Sequence, residues 1–454
     1  MSRSLKERFI DRCVKCYQSM DISLLIALVV FLITYALLAT EKIDRTLIVI
    51  VGSLILLITG ILSLSDAINY VNWETVGLLF GMFIIVVVLS DAGFFSYLAL
   101  VLAKKLKYRP RTIFIVFPLM AGVLAFFINS ITVMLFLATL TIGISKLLKI
   151  DPVPITVAEV ILANTGGASS LIGNPPNVIL GTQLGFGFNQ FVANNGPIAL
   201  LTSLSSIGLL YAFNKKSLPT RAPIELETIV KMSPDDAITN KRMLKLGLGA
   251  LFLAILLLII QGYLESAYHV PLTVALAALI PAFALLLVGG GDSADIIKRV
   301  DYDVLLFFIG LFILVGGLVK TGAVTLFANG LVHLAAGSSI GLLSLVLYGS
   351  GAISALVDNV PFALTMSYVI KDLSLVPLSL TTSLLVWTVS LGTNIGGNAT
   401  PIGASSNVLA YSSLEKHGVL VGWIRWMKIA IPPTVLALVL CNVILYIKYL
   451  IGFY

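Results

Sequence analysis

Two stretches of this chain combine residue types that are rare in an apolar sequence: Asn164–Asn177, reading NTGGASSLIGNPPN, and Asn394–Asn407, reading NIGGNATPIGASSN. Glycine, proline, asparagine and hydroxyl side chains at this density break a helix and free its N–H and C=O groups. Those groups can bind small solutes or ions: N-terminal helix ends favour anions, while freed carbonyls and C-terminal ends favour cations. Asn164, Gly166, Gly167, Ile172, Gly173 and Asn177 correspond to Asn394, Gly396, Gly397, Ile402, Gly403 and Asn407 at a constant offset of 230 residues. Two polar tips are related at an offset of 229: Asn129-Ser130-Ile131-Thr132 and Asp358-Asn359-Val360-Pro361.

The candidate substrate- or ion-binding residues are therefore Asn129, Ser130, Thr132, Asn164, Gly167, Asn174, Asn177, Asp358, Asn359, Asn394, Gly397, Thr400, Ser405 and Asn407. Single Asn or Ser residues in apolar helices usually serve as packing glue; four loops repeated at one offset argue for a site. Asp358 is the only acid in the four loops. An ionisable group at membrane depth is usually functional, so Asp358 is the coupling candidate, against the simpler role of capping a helix start. No Arg or Lys lies in any of the loops. An anion would then be held by helix ends and amides, or with a bound cation; a small neutral solute fits as well. Glu159, one turn before Asn164, is left open.

The elements that position these loops are membrane spans. Of the 454 residues, 58% are hydrophobic and 11% charged, with a mean hydropathy of +1.04; soluble domains carry about 25% charged residues. Spans of about 20 apolar residues fall near 22–39, 46–64, 74–91 and 197–214, then 243–261, 270–289, 303–320 and 427–449. Interrupted spans cover 153–183 and 378–412, with a polar loop at Asn194-Asn195-Gly196-Pro197. Two-armed segments at 112–148 and 339–372 carry the tips, and amphipathic pieces cover 93–107 and 322–337. The predicted fold is an all-α polytopic membrane protein of two five-span repeats, each with a re-entrant helical hairpin and an interrupted helix. Five crossings are odd in number, so the repeats must be inverted. The units are an N-terminal amphipathic segment 1–21, repeats 22–214 and 243–454, and a polar linker 215–242. Glu74 and Asp303, equivalent across the repeat, read as interfacial caps, and Lys320 and Lys371 as snorkelling residues.

Placing the N- and C-termini outside puts about 21 of the 29 Lys and Arg, linker included, on the cytoplasmic side, as the positive-inside rule requires. The net charge of +7 is read as basic loops facing anionic lipid, not as a nucleic-acid surface. Cys13 and Cys16 form half a metal or redox motif with no second pair to complete it. Three scattered histidines and no HExxH speak against a membrane enzyme, and no GxxxxGK[ST] supports ATP binding. No metal site is expected apart from Na⁺ sites, and no cofactor beyond Na⁺ or H⁺ as coupling ion.

With FINSITVML at 127–135, VDNVPFALTM at 357–366 and GGNATPIGASSNVLAYSSLEKHG at 396–418, the chain resembles the ion transporter superfamily over essentially its whole length. Its branch is that of arsenite efflux pumps, sodium–proton antiporters and the melanosomal P protein; divalent anion/sodium symporters are more distant. The first tip departs from the pattern, with Asn129-Ser130 where an Asp-Asn pair is expected. The resemblance implies helical hairpins, homodimers and elevator-type alternating access in a prokaryotic plasma membrane. The expected function is secondary active transport of a small anion or oxyacid coupled to H⁺ or Na⁺. A sodium–proton antiporter is the alternative, and an anion channel the more remote one.

Overall fold

A computed structural model describes residues 22–40, 42–220, 233–289, 293–335, 338–374 and 380–453. The segment 1–21, with Cys13 and Cys16, and residues 221–232 of the linker lie outside the described residues. Among the described residues the chain is helical, with no strand. Among the described residues ten α-helices precede the linker: α1 Ile22–Thr40, α2 Arg45–Ile58, α3 Leu64–Tyr70, α4 Trp73–Asp91, α5 Phe94–Lys105, α6 Pro110–Phe127, α7 Ser130–Leu147, α8 Pro152–Gly167, α9 Pro175–Leu184 and α10 Phe188–Asn214. Ten follow it in the same order: α11 Lys241–Tyr268, α12 Val274–Gly289, α13 Ser293–Lys298, α14 Tyr302–Lys320, α15 Ala323–Leu334, α16 Ser339–Leu356, α17 Asn359–Leu373, α18 Thr382–Gly396, α19 Ser405–Lys416 and α20 Trp423–Ile451.

Eight of these are long and apolar enough to cross a membrane, α6, α7 and α16 among them. The hairpin arms α6 and α7, at 18 residues each, reach about 27 Å at 1.5 Å per residue. They are as long as spans. Three details differ from the sequence reading. The span predicted at 46–64 stops at Ile58, where Thr59 caps α2 and Gly60 turns at φ +74°. The loop expected at Asn194–Pro197 is absorbed into α10, which starts at Phe188. Pro197 removes one helix donor, but Asn194 and Asn195 bond instead to Gln190 O (2.9 Å) and, across the protein, to Ser390 Oγ (2.8 Å). The caps of α4 and α14 are Asn72 and Asp301, which accept from Thr75 N and Val304 N. Glu74 and Asp303 sit in the first turn, where negative charge complements the helix dipole.

Equivalent residues adopt equivalent conformations. Gly93 and Gly322 both turn the chain into a short helix at φ +83° and +81°, a backbone that favours glycine. Gly166 and Gly396 let the helix before each break lie directly on the first hairpin arm. A Cβ at Gly166 would stand 2.2 Å from Gly122 O, and one at Gly396 2.1 Å from Gly351 Cα.

The helices sort into two packed groups. In one, α4 lies on α12 and α14 on α2, so each half's helix packs on the other half's. Gly81 fits this seam: its Cβ would meet the Ala278 backbone at 2.8 Å. In the other group, the hairpins and interrupted helices pack together, α9 on α17 and α19 on α7, again in crossed pairs. Trp387 of α18, fully buried, meets the rings of Phe186 and Phe191 edge-on at 5.1 and 5.0 Å. Edge-to-face pairs of this kind contribute about 0.5–1.5 kcal/mol each. Lys320, expected to snorkel, pairs with Asp66 at 2.7 Å, and Lys371 donates to Gln183 at 3.3 Å.

Candidate functional site

Both tips are built alike. Ile128 and Val357 leave the helix at (φ, ψ) of (−138°, 143°) and (−134°, 148°), and Asn129 and Asp358 follow at (−50°, 131°) and (−48°, 134°). Each side chain caps the second arm, accepting from Ile131 N or Val360 N at 3.0 Å. A short acceptor at this position explains why Asn and Asp alternate there. Asp358 thus does cap its hairpin arm, and it has further partners: Ser405 Oγ donates to its Oδ2 at 2.8 Å, and Arg45 Nη1 lies 3.8 Å from the same oxygen.

The two breaks are also built alike, each closed by one asparagine. Asn177 Nδ2 donates to the carbonyls of Gly167, Ala168 and Ser170 at 3.2, 3.0 and 2.7 Å. Asn407 Nδ2 donates to those of Gly397 and Thr400 at 2.8 and 2.7 Å. Their oxygens are taken up across the halves: Asn394 donates to Asn177 and Asn164 to Asn407, both at 2.9 Å. All four are buried, so this amide hub satisfies freed carbonyls that would otherwise be costly at depth. Ser130 Oγ donates to Asn174 Oδ1, and a Cβ at Gly167 would stand 2.7 Å from the Asn174 side chain. Gly397 packs against Gly403 O in the same way. Asn359 is buried, and Thr400 donates to Ala355 O.

Of the candidate residues, Asn129, Thr132, Asp358 and Ser405 line one cavity of about 800 Å³. The cavity lies between the two helix groups, with α2, α4 and α14 on one wall and both tips and α19 on the other. It reaches Asp91 and Arg299, which pair at 2.8 Å beside the linker, where Thr239 donates to Asp91 O. Asn164, Asn177, Asn394 and Asn407 form the hub behind this wall.

Arg45 was missed by the sequence reading, which left any anion to helix ends and amides. It starts α2, lines the cavity and donates through Nη1 to Ser405 Oγ at 2.6 Å; its guanidinium lies 5.5 Å from the centroid of the Phe307 ring. Contact with a residue 360 positions away has no local signal. Glu159 is fully buried in α8; its Oε1 accepts from Thr141 Oγ1 at 2.5 Å, and Oε2 has no hydrogen-bond partner among the described residues.

The fold and site define a polytopic helical membrane protein with a polar cavity between two helix groups, the build of a membrane transporter. The chain belongs to the CitMHS citrate transporter family, whose description matches residues 35–392, within the ion transporter superfamily. It is 30% identical to a "46 kDa membrane protein" of Mycobacterium leprae over 94% of this chain and 99% of that one. It is 28% identical to the P protein of Mus musculus over 88% of this chain and 57% of that one. The YdaH transporter of Alcanivorax borkumensis, at 13% identity, shares the fold with a TM-score of 0.57 over 95% of this chain and 98% of that one.

Proposed function

We propose that this membrane transporter is a secondary active carrier of a small anion or oxyacid, with small carboxylates the class to which the family's name points. The observation that carries this reading is the cavity itself, where one guanidinium meets a hairpin tip and a break. Arg45 supplies a carboxylate-shaped donor fork, while Ser405, Thr132 and Asn129 supply neutral partners. Coupling is to H⁺ through Asp358 or to Na⁺. The Na⁺ reading is supported by two buried amide oxygens, Asn195 Oδ1 and Asn394 Oδ1, that lack donors among the described residues; uncharged oxygens of this kind suit a hard monovalent cation.

Two inverted repeats, 22–214 and 243–454, account for the crossed helix pairs, and an elevator motion of one helix group past the other accounts for a cavity between them. With the linker cytoplasmic, the cavity faces inward. The protein would act as a homodimer in the plasma membrane. Transport of this kind calls for no catalytic residue, since the substrate crosses unchanged. A sodium–proton antiporter remains the alternative reading. An anion channel fits less well, because nothing in the cavity forms a ring of carbonyls or charges.

The test is uptake by proteoliposomes holding the purified chain. Citrate, succinate and phosphate are offered under imposed H⁺ or Na⁺ gradients, then again with the gradient collapsed by ionophore. Accumulation above equilibrium that disappears with one gradient is the expected result. Uptake that only equilibrates, with single-channel currents, would replace the carrier reading by a channel.

A further inference from the structure

The charges lining the cavity are unequally committed. Asp91 is held by Arg299 at 2.8 Å. Asp44 and Asp301 cap α2 and α14, accepting from Leu47 N and Val304 N at 3.0 and 3.1 Å. Arg45 and Asp358 remain as a loose pair, 3.8 Å apart. A guanidinium carries five N–H donors in a planar fork. Among the described residues Arg45 donates one hydrogen bond, through Nη1, and its side chain is 39% exposed. Nε and Nη2 are therefore unengaged, on a residue that lines the cavity.

The repeat gives an independent argument. Asp44 caps α2 by accepting from the residue three positions on, and Thr273 caps α12 in the same way, through Leu276 N at 3.3 Å. This register makes Val274 the equivalent of Arg45, as Asn129 is the equivalent of Asp358. The symmetry-related positions, Val274 in the second half and Asn129 in the first, carry neither charge, and the hairpin and break on that side form without the pair. The fold does not require the pair, so its presence at one tip calls for a role in binding.

We infer that Arg45 is the anion-binding residue of the cavity and that Asp358 is its built-in competitor. A substrate carboxylate, or an oxyanion of similar shape, docks on the free donors of Arg45. Asp358 loses its share of the cation and takes up a proton from cavity water on Oδ2. Ser405 Oγ, which now donates to that oxygen, then accepts from it, while Oδ1 keeps the Val360 N–H. The docked carboxylate brings one negative charge and the proton one positive charge, so the Arg45–Asp358 pair gains no net charge as the ligand seats, which avoids the penalty of burying an unpaired ion at the tip. The other ionisable groups around Asp358 are Asp44, Asp91, Arg299 and Asp301, with Tyr35 of α1. From the break and α19 the cavity receives only hydroxyl and apolar side chains.

This inference rests on the anion-carrier reading above, and the experiment separates the two. Citrate, succinate or phosphate is added to purified full-length protein in weakly buffered detergent near neutral pH. Binding is followed by calorimetry and proton uptake by a pH indicator dye. The wild type is expected to take up about one proton per anion bound, the single acid released by Arg45. Arg45→Gln should weaken binding about 100-fold, and Arg45→Lys, which keeps the charge but not the fork, about tenfold. Asp358→Asn should bind more tightly and take up no proton. If the wild type binds none of the three anions, the carrier reading fails and this inference with it. If the wild type binds but Arg45→Gln binds equally well, or Asp358→Asn still takes up the proton, this inference alone is overturned. Thermal unfolding of each variant identifies a misfolded one, and Asp358→Asn decides the matter without Arg45→Gln.

Discussion

Proteoliposomes carrying Asp358→Asn are expected to lose pH-driven accumulation while still exchanging labelled for unlabelled substrate. Asn keeps the short acceptor that caps α17 at Val360 N and can still face Ser405, so the tip should retain its shape. What it loses is the carboxylate that the proposed coupling protonates. With one proton per substrate and the membrane potential held at zero, a gradient of two pH units supports accumulation of about 100-fold, a tenfold per unit; the variant should fall to about onefold. Accumulation by the variant on a pH gradient would show that Asp358 is not the coupling acid. If the variant also concentrates substrate on a Na⁺ gradient, coupling lies instead with the amide oxygens of the breaks.

The second large effect concerns assembly of the hairpins. Gly396→Ala would place a methyl 2.1 Å from Gly351 Cα, and Gly166→Ala one 2.2 Å from Gly122 O. Neither neighbour is the end of a flexible side chain, so two helix backbones must separate. Each variant is expected to lose about 3 kcal/mol or more, the upper part of the range for overpacking, with a matching fall in the thermal transition in detergent. Gly143→Ala and Gly349→Ala are the controls, since a Cβ there meets nothing within 4 Å; they should be neutral or stabilising by about 0.5–1 kcal/mol. A Gly396→Ala protein that melts with the wild type would contradict the close contact between α16 and α18.

These glycines also show what could be read from the chain in advance. Gly166 and Gly396 stand out because the breaks they open repeat at one offset, and a local pattern of breakers suffices to place them. The tips could be read for the same reason: Asn129 and Asp358 are polar residues between apolar arms, and their capping geometry is local. Helix ends were less legible. Asn194 and Asn195 resemble a loop until Ser390, from the other half, is available as a partner inside the fold. Arg45 was not legible at all. In the sequence it is one of many basic residues beside a span, and only the packing of the helix group that holds α2 against the group that holds the second tip and α19 brings it to Ser405 and Asp358. The division of the candidate asparagines had the same cause. Asn129 faces the cavity and Asn164 the hub, and periodicity along one helix does not say which helix of the other half will cover it.

The central claim is that the cavity between the tips is where the transported anion sits. Thr132→Cys, in a background where Cys13, Cys16 and Cys441 are replaced by serine, puts a thiol on the cavity wall. Its rate of modification by a small water-soluble thiol reagent, measured in membrane vesicles with and without the anion found to be transported, is the most direct test. The account predicts ready labelling that the anion slows in a saturable way, at the concentrations that support transport. Labelling at an unchanged rate in the presence of saturating anion, by a variant that still transports it, would place the binding site elsewhere.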